Sequence, residues 1–272
     1  MEQQRFLAFG GDRLGYVAFG GSGPPALLLH GLYGRATEWR GTAQWLSASH
    51  DVYALDQRGH GLSTKGLADF SRSAQVDDAI RTIEALARGP VLLVGQSMGG
   101  VTAFLAAARR PELVSLLVVI EAHAQFDRSA KRPQSNWLST WPLPFRTLDD
   151  ARDFFCKQGL KGNVWVDVLV ETADGFRPEF RADDMGAASA DLKDYDYWRE
   201  WTAIACPTLL VGGSGSWLSQ QPMREMAGAI SKGRYVCIEG AGHDVHLDAQ
   251  EGLRLAVEAF LNDQPDVARQ LG

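Results

Sequence analysis

Ser97 stands in the run Gly95-Gln96-Ser97-Met98-Gly99-Gly100, directly after the apolar residues 91–94 and directly before the helical pattern 98–109. A serine placed where a strand turns sharply into a helix is held in a strained backbone conformation that pushes its hydroxyl out of the turn. Gly95 and Gly99 remove the side chains that would collide in so tight a bend, and the helix N-terminus below favours negative charge as it develops. Such a hydroxyl is a candidate nucleophile, but it needs a base to take its proton. His243, in the glycine-rich run Gly240-Ala241-Gly242-His243 that follows residues 235–238, is the candidate, because imidazole accepts protons near neutrality. An orienting carboxylate could come from Glu121, which ends the apolar run 116–120, or from Asp244, the neighbour of the base. A dyad without an acid is the third possibility.

These residues need a scaffold that brings distant segments to one edge. Residues 5–9 and 14–19, separated by Gly10-Gly11-Asp12-Arg13, predict an antiparallel hairpin. Residues 26–29 are a wholly apolar run and 52–55, 91–94, 116–120, 208–211 and 235–238 are similar, as expected of strands buried on both faces of a mostly parallel sheet. Helical patterns fall between them at 37–48, 72–88, 98–109, 222–230 and 248–262, so the fold class is α/β with helices on both sides of the sheet. Residues 122–202 break the alternation. Eight aromatics lie between Trp137 and Phe180, and so long a stretch without structure is improbable in a compact domain, which predicts a helical insertion covering the sheet edge as a lid. The core is then 1–121 with 203–272, and the tail 263–272 reads as a frayed end.

Over nearly its whole length the chain resembles the α/β-hydrolase superfamily, whose sheet has eight strands. His30-Gly31-Leu32 resembles that family's oxyanion loop, Asp56-Gln57-Arg58-Gly59-His60-Gly61 its fourth-strand turn, Ser97 with its glycines the nucleophile elbow, and Gly242-His243 the histidine loop. Four motifs fall in family order. The resemblance implies an oxyanion hole built from the backbone N–H groups of Leu32 and Met98, and structural roles for His30 and His60. It gives no chemistry to His50, His123 or His246. In the commonest family arrangement an aspartate follows the strand here at 208–211, but this chain has Ser216 at that position. Certain haloalkane dehalogenases place their acid after the preceding strand, so the resemblance implies a moved acid and the set Ser97, His243, Glu121. A serine nucleophile also argues against epoxide hydrolysis and dehalogenation, which use an aspartate in the related enzymes.

Composition narrows the rest. Lys+Arg 27 against Asp+Glu 33 gives a net charge of −6, without the basic footprint of a nucleic-acid binder. With 45% hydrophobic and 22% charged residues the chain fits an ordinary globular protein. No apolar run has the length of a signal peptide or a membrane span, and Cys156, Cys206 and Cys237 are too few and too scattered for a zinc site or disulfide framework, so a reducing cytoplasm is expected. The expected activity is cofactor-independent, metal-free hydrolysis of a carboxylic ester, thioester or lactone through an acyl-enzyme. The aromatics of the insertion leave two options open, walls for a bulky apolar small-molecule substrate or a core for the lid itself. An acyltransferase or cyclase using the same residues, and a ligand-binding protein on a hydrolase scaffold, are the alternatives.

Overall fold

The computed structural model describes residues 2–125, 137–192 and 195–264; the expected tail beyond residue 264 lies outside them. Ten strands and ten α-helices follow one another in the described residues. The first half runs β1 (Gln3–Phe9), β2 (Asp12–Gly20), β3 (Pro25–Leu29), α1 (Arg40–Leu46), β4 (Asp51–Leu55), α2 (Arg72–Leu86), β5 (Val91–Gln96), α3 (Met98–Arg109) and β6 (Val114–Ile120). Between β6 and the next sheet strand come α4 (Leu148–Lys157), α5 (Gly162–Trp165), β7 (Leu169–Thr172), β8 (Gly175–Pro178), α6 (Ala182–Ala190) and α7 (Trp198–Thr202). The chain then closes with β9 (Thr208–Gly213), α8 (Gln220–Gly228), β10 (Gly233–Ile238), α9 (Val245–Asp248) and α10 (Gln250–Asn262).

Eight strands form one sheet in the order β1-β2-β4-β3-β5-β6-β9-β10. The β1–β2 hairpin and the β2–β4 pair are antiparallel, and every pair from β4 to β10 is parallel. The period-2 geometry of a strand explains why its sequence is apolar throughout. Leu27, Leu29, Leu93, Leu117, Val119 and Leu210 enter one core, where α2, α3, α7 and α8 cover the sheet. Ala26, Leu28, Leu92, Val94, Val118, Ile120, Leu209 and Val211 enter the other, against α1 and α10.

Three expectations are corrected. β10 is an edge strand in which only Ile238 is buried, since among the described residues nothing pairs beyond it. The helix expected at 248–262 begins at Gln250, because Ala249 (φ −138°, ψ 57°) leaves the helical conformation and separates it from the four-residue α9. The segment after β6 is not purely helical, because β7 and β8 pair as a small antiparallel hairpin turning at Ala173-Asp174. Its aromatics pack largely on each other: Trp141, Phe145, Phe155 and Phe180 are buried in one cluster. α7 instead packs on α3, with Trp201 edge-on to Phe104 at 5.5 Å.

Candidate active site

The C-terminal ends of β3, β5, β6 and the loop after β10 converge, as expected where parallel strands deliver ligand-facing loops. Ser97 joins β5 to α3 at φ 52°, ψ −117°. It occupies the N-cap position of α3, yet its hydroxyl makes no capping bond. Ser97 Oγ–H donates instead to His243 Nε2 at 3.0 Å. The turn tolerates only glycine on either side: a Cβ on Gly95 would lie 2.2 Å from the Gly99 carbonyl oxygen, and one on Gly99 would lie 2.3 Å from that of Leu29.

His243 Nδ1–H donates to Glu121 Oε2 at 3.1 Å, which fixes the tautomer that leaves Nε2 free to accept the serine proton. Glu121 follows β6 with φ 52° and is 1% exposed. A carboxylate so deep in the protein requires a donor for each lone pair. Gly213 N–H (2.7 Å) and Gln220 Nε2 (3.3 Å) donate to Oε1, while the Ser216 hydroxyl joins His243 on Oε2. Ser216, at the position where the family usually keeps its acid, therefore donates a hydrogen bond to Glu121. Gln220 is held in turn by Tyr235, whose hydroxyl donates to Gln220 Oε1 at 2.6 Å. Gln220 and Tyr235 carried no signal in the sequence, since a glutamine at a helix start and a tyrosine in an edge strand look ordinary.

Among the described residues the non-glycine positions with positive φ are Tyr33 (68°), Ser97 (52°) and Glu121 (52°), so backbone strain is concentrated around this site. Each is pinned by a nearby hydrogen bond: Ser97 N–H to Ile120 O (2.8 Å), Glu121 N–H to Val211 O (3.0 Å), and Gly34 N–H to Gly31 O (3.1 Å) across the turn holding Leu32 and Tyr33. That turn abuts Ser97, since a Cβ on Gly31 would lie 3.4 Å from Ser97 Cβ. Met98 opens α3, where a backbone N–H has no acceptor within the helix.

Asp244 does not touch the His243 ring. Its Oδ2 accepts Trp165 Nε1–H at 3.2 Å, and its Oδ1 lies 3.5 Å from Gln96 Nε2, which also donates to His243 O at 3.0 Å. Part of the residue reaches the surface, but burial of the carboxyl raises its pKa, opposed by the nearby His243. His30 accepts Gln57 N–H on Nε2 (3.0 Å) and donates from Nδ1 to Gly31 O (2.7 Å), bracing the turn before Leu32. His60 is fully buried 4.8 Å from the His30 ring, and burial pushes its pKa well down, so it stays neutral. His123 donates to Ser219 O (2.8 Å), His246 pairs with Glu38 (3.0 Å), and His50 bonds its neighbour Ser49 (2.9 Å). Among the described residues no group of three His, Cys, Asp or Glu side chains is placed to hold a metal ion, and no helix is long and apolar enough to cross a membrane.

Residues 26–254 match the family model described as alpha/beta hydrolase family. The chain belongs to the α/β-hydrolase family. Its curated relatives in that family include a 2-(acetamidomethylene)succinate hydrolase of Mesorhizobium japonicum, 39% identical over 251 residues, 89% of each chain. Another is an (E)-2-((N-methylformamido)methylene)succinate hydrolase of Acinetobacter baylyi, 28% identical over 269 residues, 95% of this chain and 98% of the relative. A crystal structure of an E-2-(acetamidomethylene)succinate hydrolase superposes with a TM-score of 0.88 over 96% of this chain and 100% of that one, at 24% identity, which bears on the fold. This α/β-hydrolase is accordingly a hydrolytic enzyme, with the sheet and flanking helices of its family.

Proposed function

We propose that this enzyme is a serine hydrolase that cleaves a carboxylic acid derivative through an acyl-enzyme on Ser97. The observation that carries the reading is the unbroken chain from Ser97 Oγ through both nitrogens of His243 to Glu121. As the Ser97 oxygen attacks the carbonyl carbon, its proton passes to His243 Nε2. The imidazolium so formed faces the Glu121 carboxylate, and its proton then goes to the departing group. The N–H groups of Met98 and Leu32 would hold the oxyanion, each such donor being worth about 3 to 4 kcal/mol in the transition state. Water, deprotonated by the same His243, clears the acyl group and restores the serine.

Esters, thioesters and lactones fit this chemistry. Both curated relatives are named for substrates with an N-acyl group on a methylenesuccinate, so an amide conjugated to a double bond joins the substrate classes to assay. The test is turnover of an activated aryl ester by Ser97→Ala and His243→Ala, together with intact-mass detection of a fluorophosphonate adduct on Ser97. Both variants are expected to lose activity by several orders of magnitude, since an unassisted hydroxyl is a poor nucleophile at neutral pH. More than a tenth of the activity left in Ser97→Ala, or a folded wild type that takes no label, would refute the assignment.

A further inference from the structure

The eight aromatics from Trp137 to Phe180 divide into two sets. Trp141, Phe145, Phe155 and Phe180 are buried and form the core of the segment after β6. Trp137, Phe154, Trp165 and Phe176 keep part of their surface exposed. Two of these four reach the catalytic loops. Trp165 stands on the base loop, where its indole N–H donates to Asp244, the residue after His243. Trp137 packs edge-on against Trp165 at 5.3 Å and against the buried Trp141 at 5.0 Å, and it also meets the ring of Tyr33, the residue after Leu32, at 5.4 Å. Asp244, Trp165, Trp137 and Tyr33 thus form a continuous arch from the base loop to the oxyanion turn, and Ser97 lies between its feet.

The two feet are built differently. At one end Tyr33 is fixed by backbone, in a left-handed conformation within a closed turn. At the other, Asp244 is tied through Gln96 to the strand that carries the nucleophile. The acceptor of the Trp165 indole N–H is a side chain adjacent in sequence to the base. Asp244 therefore sets the position of Trp165 relative to His243, although it never touches the imidazole. Aromatic rings held edge-on to one another present faces and edges that favour flat π-systems over saturated groups of equal volume.

We propose that Trp137 and Trp165 are specificity-determining residues for a flat, conjugated group of the substrate, and that Asp244 is the positioning residue that anchors them. This rests on Ser97 and His243 acting as described above. The flat group could belong to the acyl part or to the leaving group, and two matched pairs of esters separate these cases: methyl benzoate against methyl cyclohexanecarboxylate, and phenyl acetate against cyclohexyl acetate. Each kcat/KM is divided by the ester's own hydroxide-catalysed rate, so that intrinsic reactivity cancels. In one pair the wild type is expected to favour the flat member at least tenfold. Trp137→Leu and Trp165→Leu should bring that preference close to unity, mainly through KM. Trp165→Phe, which removes the N–H together with one ring of the indole, and Asp244→Asn, which replaces the carboxylate acceptor by a weaker amide oxygen, should each weaken it, and the double variant should be no worse than the worse single, because without the N–H the strength of its acceptor no longer matters. Should the Leu variants fail to fold, the Phe variant, which keeps an aromatic ring, and the isosteric Asn variant carry the test. No preference in either pair, a preference that survives both Leu variants, or additive losses in the double variant would overturn the proposal. A wild type that is labelled at Ser97 but shows no flat-group preference refutes this inference alone, whereas a folded wild type without label refutes the nucleophile assignment.

Discussion

At the scale of single residues, the central question is how a glutamate at the end of β6 could serve as the acid of the proposed triad when Ser216 holds the place the family commonly gives to the acid. The donors around Glu121 answer it: two on Oε1 and two on Oε2 leave no lone pair of the buried carboxylate without a partner. Glu121→Gln would turn an amide NH2 toward groups that are themselves donors and would remove the charge facing the imidazolium. A kcat loss of about 10⁴ is expected, as for the corresponding neutral substitution in other triads, read from steady-state rates. Ser216→Ala removes one neutral donor and should cost far less. Ser216→Asp in the presence of Glu121 places two carboxylates in hydrogen-bond contact and should be harmful, whereas the pair Ser216→Asp with Glu121→Gln should recover about 1 to 2 kcal/mol of transition-state stabilisation over Glu121→Gln alone. No recovery would mean that position 216 does not reach the imidazole. Ser97 and His243 stood out as candidates in the sequence because each follows a recognisable strand within a family motif, whereas Glu121 lies in no motif and stood beside Asp244 as an alternative until the structure placed its carboxylate against the imidazole. The donors that hold Glu121 were not legible, because a hydrogen bond between residues about a hundred positions apart leaves no local pattern.

At the scale of elements, the nucleophile turn shows sequence and backbone agreeing closely: α3 spans the predicted residues, and both flanking glycines face backbone rather than open space. The Cβ of an alanine at position 99 would lie 2.3 Å from one carbonyl oxygen and 2.5 Å from another, and backbone cannot swing aside as a side chain can. Gly99→Ala is therefore expected to destabilise the protein by about 3 kcal/mol or more, at or above the upper range for overpacking, measured by chemical denaturation. A change below about 1 kcal/mol would show that β3 can shift relative to α3. The β7–β8 hairpin went unpredicted for a physical reason. Its strands have four residues each, carry Glu171 and Arg177, and stand apart from the main sheet, so they lack the apolar run that marks a central strand. The Asp174-Gly175 pair at its turn was the one available signal.

At the scale of the whole molecule, the sheet is packed by core on both faces, and the candidate site sits on loops whose strain and buried charges that core must absorb. Asp244 exposes that cost to measurement. Burial raises its pKa above the ordinary carboxylate value, so the native state holds this proton to higher pH than the unfolded chain does. The sign follows directly. Below the unfolded-state value both states are protonated and the group contributes nothing adverse. As pH rises through the window up to the raised native value, the unfolded state gives up its proton first, and stability falls. Above that window the loss is complete and constant. Asp244→Asn cannot titrate, so its unfolding free energy relative to wild type should increase with pH through the weakly acidic range and then level off. Urea denaturation of the two proteins from about pH 4 to about pH 8 reads this as a growing separation of midpoints. Parallel midpoints across the range would show that the Asp244 carboxyl is as well solvated in the native state as in the unfolded chain. A separation that shrinks as pH rises would mean instead that the hydrogen bonds from Trp165 and Gln96 outweigh burial and hold the carboxylate charged.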